Sequence, residues 1–340
     1  MHYRKKRKPV VGIVLAIAAI LLFAGTLFLI ENKMKVREGK GDSGKWGSGI
    51  SGKVTLTIDD KKYSYTDDVD FYLIIGTDGT GSKPGGREGF NGDMADFLML
   101  AAINNTTRTY GFYQLDRDTI TDVPILDENG EELGTAEEQL CIAHWYGYNE
   151  EQRNTNTVNT VSRLLGNVPI KGYYSIDMDD VSAINHAVGG VTVKIEEDMT
   201  SVDPQMKQGA EIRLRDDQVE KYLRARMNVG DGTNTARMKR QRQYMQNAYS
   251  IVLKKLSEDP NYADTFYDEL SGVIRSDLPR KEASTIAARI READSIGFMT
   301  FDGEHTEGHE LDDGQLHNEF YISPDSIVEN LQKLLDLAPE

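Results

Sequence analysis

Two groups of arginines lie close together in this chain, Tyr222-Leu-Arg224-Ala-Arg226 and Arg237-Met-Lys-Arg240-Gln241. Guanidinium forks bind phosphate oxygens in pairs, so the residue types point to a phosphate-bearing ligand. Arg224 and Arg226 stand at i and i+2, which an ideal helix splays by about 200°. The break Asn228-Val-Gly230-Asp-Gly232 supplies the helix end that lets both turn to one ligand. Arg237, Arg240 and Gln241 stand at i, i+3 and i+4, on one helical face. Arg237 also falls near that helix's N-terminus, where backbone N–H groups favour anions. A basic helix face turned to water has the same pattern, so the arginines alone leave two readings open.

Carboxylates supply the other half of the chemistry. Asp78 lies just beyond the apolar run Phe71–Ile75 in a loop with Gly76, Gly79, Gly81, Gly85 and Gly86, and Asp96 directly precedes the apolar run Phe97–Ile103. Carboxylates at strand ends are placed to hold Mg²⁺, which takes one or two of them and completes its shell with water and phosphate oxygens. Turn chemistry is the alternative for an Asp in a glycine loop. Arg117 and Asp118 follow the run Thr109–Leu115, at another strand end, where ligand sites of α/β sheets gather. The glycine loop is no P-loop, because Ser82-Lys83 follow Gly81 in the wrong order. His305-Thr-Glu-Gly-His309 is not a zinc-protease motif, Cys141 and His144 offer too few zinc ligands, Asp177-Met-Asp-Asp180 lacks calcium-loop spacing, and G-x-S-x-G is absent. The single cysteine, Cys141, excludes an internal disulfide and reads as a small buried apolar residue.

Charge narrows the ligand. The chain of 340 residues carries −16. Residues 1–30 hold five basic and no acidic side chains, so residues 31–340 carry −16 − 5 = −21. Yet Arg213 to Arg242 has nine Lys or Arg against four Asp or Glu, a local +5. A basic island in an acidic chain fits one compact anion and not nucleic acid, which needs a broad basic face. Ahead of the site, Arg4-Lys-Lys-Arg-Lys8 precedes Val10–Ile30, 21 residues without a charge. At ~1.5 Å per residue that run reaches about 31 Å, a bilayer core. Basic residues before it predict a cytoplasmic N-terminus and an exported body. The run is longer than a signal-peptide core and no small-residue cleavage site follows Ile30, so an uncleaved anchor is expected. The expected organisation is a cytoplasmic tail (1–9), a transmembrane helix (10–30), a juxtamembrane linker (31–53) and one extracytoplasmic domain (54–340).

The elements that must position these residues alternate. Strands are expected at Phe71–Ile75, Phe97–Ile103 and Thr109–Leu115, the last two as a hairpin across Asn104–Arg108. A helix at Val158–Leu165, a strand at Tyr173–Ile176, a helix at Asp179–Val188 and a strand at Val191–Ile195 follow. Next come a helix from an Asp216 cap to about Met227, a long helix at Thr235–Leu256, a helix at Arg280–Ala293, and strands at Ile296–Phe301 and Glu319–Ile322. A last helix is capped by Ser323 with Pro324 first. Interleaved strands and helices predict an α/β fold, a single three-layer α-β-α domain around a central mixed sheet, behind one N-terminal transmembrane helix.

From Phe71 to Lys255 the segments together resemble the LytR-CpsA-Psr family of cell-wall polymer ligases. The resemblance is carried, in order, by Ile75-Gly-Thr-Asp78, Ala95-Asp-Phe-Leu-Met-Leu100, Gln114-Leu-Asp-Arg-Asp118, Ala143-His-Trp-Tyr-Gly147, Ala187-Val-Gly-Gly-Val-Thr-Val193, Tyr222–Arg226 and Arg237–Gln241. It implies a phosphotransferase that takes a glycopolymer from a polyprenyl pyrophosphate carrier and attaches it to peptidoglycan through a phosphodiester. It further implies Mg²⁺ on Asp78 and Asp96, and pyrophosphate gripped by Arg117, Arg224, Arg226, Arg237, Arg240 and Gln241. Arg117, Asp118 and Arg224 would be the catalytic centre, with Asp118 or Asp78 as base and the polyprenyl tail in an apolar groove. The chain departs from the family pattern at Met94-Ala95 (commonly Arg-Ser), Asp116 (usually Pro), Cys141 (often Asn) and Asn234 (often Asp). Arg87 and Asp231 are the residues that could stand in for the first and last of these. Two other readings fit the residues: a non-catalytic module binding polyprenyl phosphates or wall polymers, and a pyrophosphatase using water as acceptor.

Overall fold

The computed structural model describes residues 52–78, 93–226, 229–230, 232–259, 262–308 and 316–340. The expected tail, transmembrane helix and nearly all of the linker lie outside the described residues, as do Arg87 and Asp231. Among the described residues no helix is long and apolar enough to cross a membrane.

The described chain opens with a hairpin, β1 (Val54–Ile58) and β2 (Lys61–Tyr65), followed by β3 (Val69–Thr77), β4 (Ala95–Asn104) and β5 (Thr109–Leu115). A second hairpin, β6 (Ile120–Leu126) and β7 (Glu132–Gln139), leads through a 3-10 turn to α1 (Glu150–Leu164). Then come β8 (Ile170–Asp177), α2 (Val181–Val188), β9 (Thr192–Lys194), β10 (Glu211–Arg213), α3 (Asp216–Arg224) and α4 (Asn234–Glu258). The chain continues with α5 (Tyr262–Leu270), β11 (Ile274–Ser276), α6 (Arg280–Glu292) and β12 (Asp294–Thr300). It ends with β13 (Gly303–Gly308), β14 (His317–Ile322), α7 (Pro324–Gln332) and β15 (Ala338–Pro339).

The central sheet runs β11-β8-β3-β4-β5-β12. Strand β4 is antiparallel to both β3 and β5, while β8 is parallel to β3 and β12 to β5. Thus β3, β5, β8 and β12 all point one way, and their C-terminal ends gather at one edge of the sheet together with the start of β4. That edge is where ligands of α/β folds bind.

The sheet is covered on both faces, which is why its inner strands read as unbroken apolar runs. In β3, Tyr72 and Ile74 pack into one core with Ile184, Val219, Tyr222, Tyr244 and Ile286 from α2, α3, α4 and α6. Phe71, Leu73 and Ile75 face the other way, into a core with Leu56, Val161, Ile327 and Leu331 from β1, α1 and α7. The expected mixed α/β sheet with helices on both sides is what forms, and the hairpin joining β4 to β5 is present with Asn104 opposite Thr109.

Several local expectations need correction. Helix α1 starts at Glu150, not Val158, because its first half buries Asn154, Asn156 and Thr157 and so has no apolar stripe to read. Asp216 does not cap α3. Arg215 occupies the cap position, and the Asp216 carboxylate accepts from Asn185 Nδ2 at 2.8 Å. That helix stops at Arg224, short of Met227. Ser323 precedes Pro324 as expected, but its side chain makes no capping bond. Asp96 lies inside β4, not before it. In contrast, Thr233 Oγ1 caps α4 by accepting from Ala236 N at 3.2 Å.

Candidate functional site at the sheet edge

The edge formed by the ends of β3 and β5 and the start of β4 brings most of the expected residues together. Strand β3 ends at Thr77, opposite Ala95, so Asp78 and Asp96 come from neighbouring strands. The turn after β5 carries Asp116, Arg117 and Asp118. Arg117 Nη1 pairs with Asp96 Oδ1, and its Nε lies 3.3 Å from Asp118 Oδ1. Its Nη2 meets the Met94 thioether at 3.1 Å. From the opposite side Arg237, in the first turns of α4, reaches Asp96 Oδ2 with Nη1 at 3.3 Å. Asp96 is therefore held between two guanidinium groups from separate elements.

The second arginine group arrives from the end of α3. Because the helix stops at Arg224 and Ala225 is extended (φ −54°, ψ 130°), Arg224 and Arg226 both turn inward. Arg224 Nη2 donates to the Asp78 carbonyl at 3.1 Å, while its Nη1 pairs with Asp179 and Glu220, each at 2.9 Å. Arg226 Nη2 lies 3.4 Å from Asp118 Oδ2, and its Nε donates to the Gly232 carbonyl at 3.3 Å.

Other expected site residues are placed differently. Arg240 is turned to structural work: it donates to the carbonyls of Tyr222 and Ala225 and pairs with Glu197 at 3.1 Å. It thereby fixes the chain leaving α3 and so supports Arg224 and Arg226 indirectly. Gln241 is buried in α4. Asp118, only 1% exposed, receives Gln139 Nε2 at 3.2 Å as well as the two arginines. It orients Arg117 and Arg226. Cys141 is fully buried, and burial pushes its thiol up to about 12, in keeping with an inert apolar residue.

Sequence reading gave no site role to three contributors. His144 is fully buried with Nδ1 2.8 Å from the Asp93 carbonyl, so it fixes the entry to β4. Burial lowers its pKa, which keeps the ring neutral and makes Nδ1–H the donor to that carbonyl. Asp179 steers Arg224. Met94 packs its sulfur on Arg117. Sequence spacing tests His144 and Asp179 only as zinc and calcium ligands, and the signal for His144 is its place in the Ala143–Gly147 segment.

Asp78 has the chemistry of a cation ligand. Its Oδ1 accepts the Met94 N–H at 2.7 Å. Burial, and after it the Asp96 charge, raise its pKa to about 6. A cation placed here would meet Asp78 and would share Asp96 with Arg117 and Arg237. Among the described residues no group of three or more His, Cys, Asp or Glu could enclose a metal. Two carboxylates are compatible with a hard ion such as Mg²⁺, which takes one or two of them and fills its shell with water or phosphate oxygens.

The sequence profile of the LytR_cpsA_psr family matches residues 40–335. A Bacillus anthracis protein named polyisoprenyl-teichoic acid–peptidoglycan teichoic acid transferase TagU is 30% identical over 183 residues, 54% of this chain and 51% of that protein. The chain thus spans about half the length of the curated relatives it matches in this way. A solved structure of a Streptococcus agalactiae protein superposes with a TM-score of 0.60 at 19% identity, over 78% of this chain and 86% of that one. The Bacillus subtilis protein TagV superposes with a TM-score of 0.57 at 17% identity, over 78% and 95%. These two likenesses concern the fold.

Proposed function

The chain belongs to the LytR-CpsA-Psr family, and on that footing we propose that it is a membrane-anchored phosphotransferase of cell-wall biogenesis. It moves a glycopolymer from a polyprenyl pyrophosphate carrier to peptidoglycan through a phosphodiester bond. The observation that carries this reading is the convergence of Arg117 and Arg237 on the two oxygens of Asp96, with Asp78 and Arg224 alongside. The name of the Bacillus anthracis relative, a teichoic acid transferase acting with peptidoglycan, supports the choice of donor and acceptor.

In this reading the pyrophosphate lies against Arg117, Arg224, Arg226 and Arg237. An acceptor sugar hydroxyl attacks the phosphorus that bears the glycan. The new O–P bond forms as the bridging P–O bond breaks, and polyprenyl phosphate leaves. Negative charge grows on the leaving phosphate and the equatorial oxygens, where fixed guanidinium groups stabilise it. Asp78 and Asp96 would hold Mg²⁺, which supplies further charge neutralisation at the phosphate oxygens. The hydroxyl proton needs a carboxylate open to solvent. Asp78 is partly exposed and could accept that proton through an oxygen not given to the metal. Asp96 is clamped by two arginines and Asp118 is buried, which leaves Asp78 for that role. Residues 10–30 are the membrane anchor of this reading, residues 1–9 are cytoplasmic, and residues 54–340 form the extracytoplasmic catalytic domain.

The test gives the full-length chain in detergent a polyprenyl pyrophosphate-linked oligosaccharide and a peptidoglycan fragment, with and without Mg²⁺, and identifies products by mass spectrometry. A metal-dependent phosphodiester conjugate, absent with Arg117→Ala, is expected. Free phosphate in place of the conjugate would make the protein a pyrophosphatase. Retained lipid without turnover would make it a binding module.

A further inference from the structure

Asp116 and Asn234 sit behind the arginine site, both buried, at 7% and 4% exposure. Asn234 Nδ2 donates to Asp116 Oδ1. The same oxygen accepts the Asp118 backbone N–H at 2.9 Å. Asn234 Oδ1 accepts from Arg237 twice, from Nε at 3.0 Å and from Nη2 at 2.6 Å. The remaining arm of Arg237, Nη1, donates to Asp96 Oδ2. The orientation of the amide follows from its partners, because a guanidinium offers only donors and a carboxylate only acceptors. Asp116 Oδ2 faces His305 Nε2 at 3.9 Å. One carboxylate therefore ties the turn carrying Arg117 and Asp118 to the first turn of α4.

We infer that Asp116 and Asn234 are a matched positioning pair: the Asp116 carboxylate fixes the Asn234 amide, and the amide aims Arg237 at Asp96 and the bound pyrophosphate. The inference rests on the anion-site reading above. A carboxylate at 234 would still receive Arg237, but it has no proton to offer Asp116. With Asp116 in place, two carboxylates would then meet in buried surroundings, which separates their side chains or neutralises one of them. Separation pulls Arg237 away from Asp96, and protonation of one carboxylate keeps the contact only at a cost that grows with pH. A negative side chain at 116 is compatible with this site only beside a neutral donor at 234.

The experiment is a mutant cycle on the full-length chain in detergent with Asn234→Asp, Asp116→Asn, the double variant, and Asn234→Ala. The readouts are thermal melting, calorimetric binding of inorganic pyrophosphate with Mg²⁺ present, and kcat and KM for transfer. Asn234→Asp should weaken pyrophosphate binding by about tenfold or more, and by more than Asn234→Ala, which removes the bonds without adding a charge. Asp116→Asn should cost less, since an amide oxygen still accepts from Asn234 and Asp118. The double variant should recover several-fold over Asn234→Asp, because an amide introduced at position 116 gives the carboxylate introduced at position 234 a donor. The loss should fall on kcat as well as KM, which a change in stability alone would not produce in folded variants. Unchanged pyrophosphate affinity in Asn234→Asp overturns the inference. So does a double variant that is folded yet no better than Asn234→Asp. If the parent binds pyrophosphate but transfers nothing, the ligase reading fails and the binding cycle alone decides the pair. If the parent binds no pyrophosphate, the anion site and the pair fall together.

Discussion

At the scale of single residues, Arg117 shows why charge alone does not make the site. Its guanidinium spans Asp96 and Asp118 while a third edge rests on the Met94 sulfur. A lysine keeps the charge but gathers its donors on one atom, so it lacks the planar fork that meets Asp96, Asp118 and Met94 from separate nitrogens. Arg117→Lys should therefore cut transfer by about 100-fold or more while lowering the melting temperature only slightly. Arg117→Ala should lose transfer and also about 1–3 kcal/mol of stability, because it leaves Asp96 and Asp118 with one guanidinium partner each. Rates measured beside thermal melts separate the two effects. Asp78 allows a second residue-scale prediction. Its folded pKa, about 6, lies above the ordinary carboxylate value of 3.8. The protonated form is thus favoured by the fold, and this contribution is full below pH 3.8 and is lost as pH rises through about 6. In the metal-free protein Asp78 should accordingly weaken the fold between those pH values. Stabilisation by added Mg²⁺ should appear as pH rises past about 6, and Asp78→Asn should abolish both trends. Melting curves from about pH 4 to 7.5 with Mg²⁺ and with chelator test this, and equal Mg²⁺ stabilisation at about pH 4.5 and 7.5 would count against it.

At the scale of elements, what could be read from the sequence was what leaves an apolar signature. Strands β3, β4 and β5 are buried on both faces and announce themselves as apolar runs, as does the hairpin between the last two. The start of α1 left no such mark because it buries asparagine and threonine, and β13 was missed because nearly all its residues are exposed. The arginine positions were legible as chemistry but not as geometry. Spacing put Arg237, Arg240 and Gln241 on one helical face, yet only the packing of α3 against α4 decides that Arg237 meets Asp96 while Arg240 serves the backbone at Ala225. The Asp116 and Asn234 contact joins residues far apart in the chain, and no local pattern could have shown it. Element geometry also carries a stability prediction. Gly166 ends α1 in the left-handed region at φ +81°, and a Cβ there would lie 2.9 Å from the Thr57 carbonyl oxygen. That same Thr57 donates its N–H to the Gly166 carbonyl at 3.0 Å, joining α1 to β1. Gly166→Ala should cost about 1–3 kcal/mol through backbone strain and the displaced strand, read as a lower denaturation midpoint. Because Gly166 lies away from the arginine edge, KM for the carrier should stay near the parent value in the folded fraction.

At the scale of the whole molecule, the question is how an acidic body would work on the proposed lipid-linked substrate. Residues 31–340 carry −21, and an anionic membrane surface repels such a charge. Proximity to the carrier must then come from the proposed anchor and not from electrostatic attraction. Residues 31–53, the linker of this proposal, are polar and glycine-rich, and an ideal coil of that many residues spans about 5–6 Å × √n, roughly 26 Å. In this proposal a span of that size holds the domain within reach of the headgroup layer. The effective concentration of a tethered site falls roughly as the −3/2 power of tether length. Inserting about 60 Gly/Ser residues after Lys40 should therefore lower transfer from carrier embedded in liposomes by about sevenfold. Transfer from a short-chain, detergent-soluble carrier should be unaffected, since that donor reaches the site by free diffusion. Deleting residues 1–30 should have the larger effect in liposomes and should move the protein from the membrane pellet to the supernatant. Equal losses with both carriers would mean that the insertion damages the domain. No loss with either would mean that the tether does not set the encounter, and the anchored-ligase reading would then have to explain how the body overcomes its own charge at the membrane.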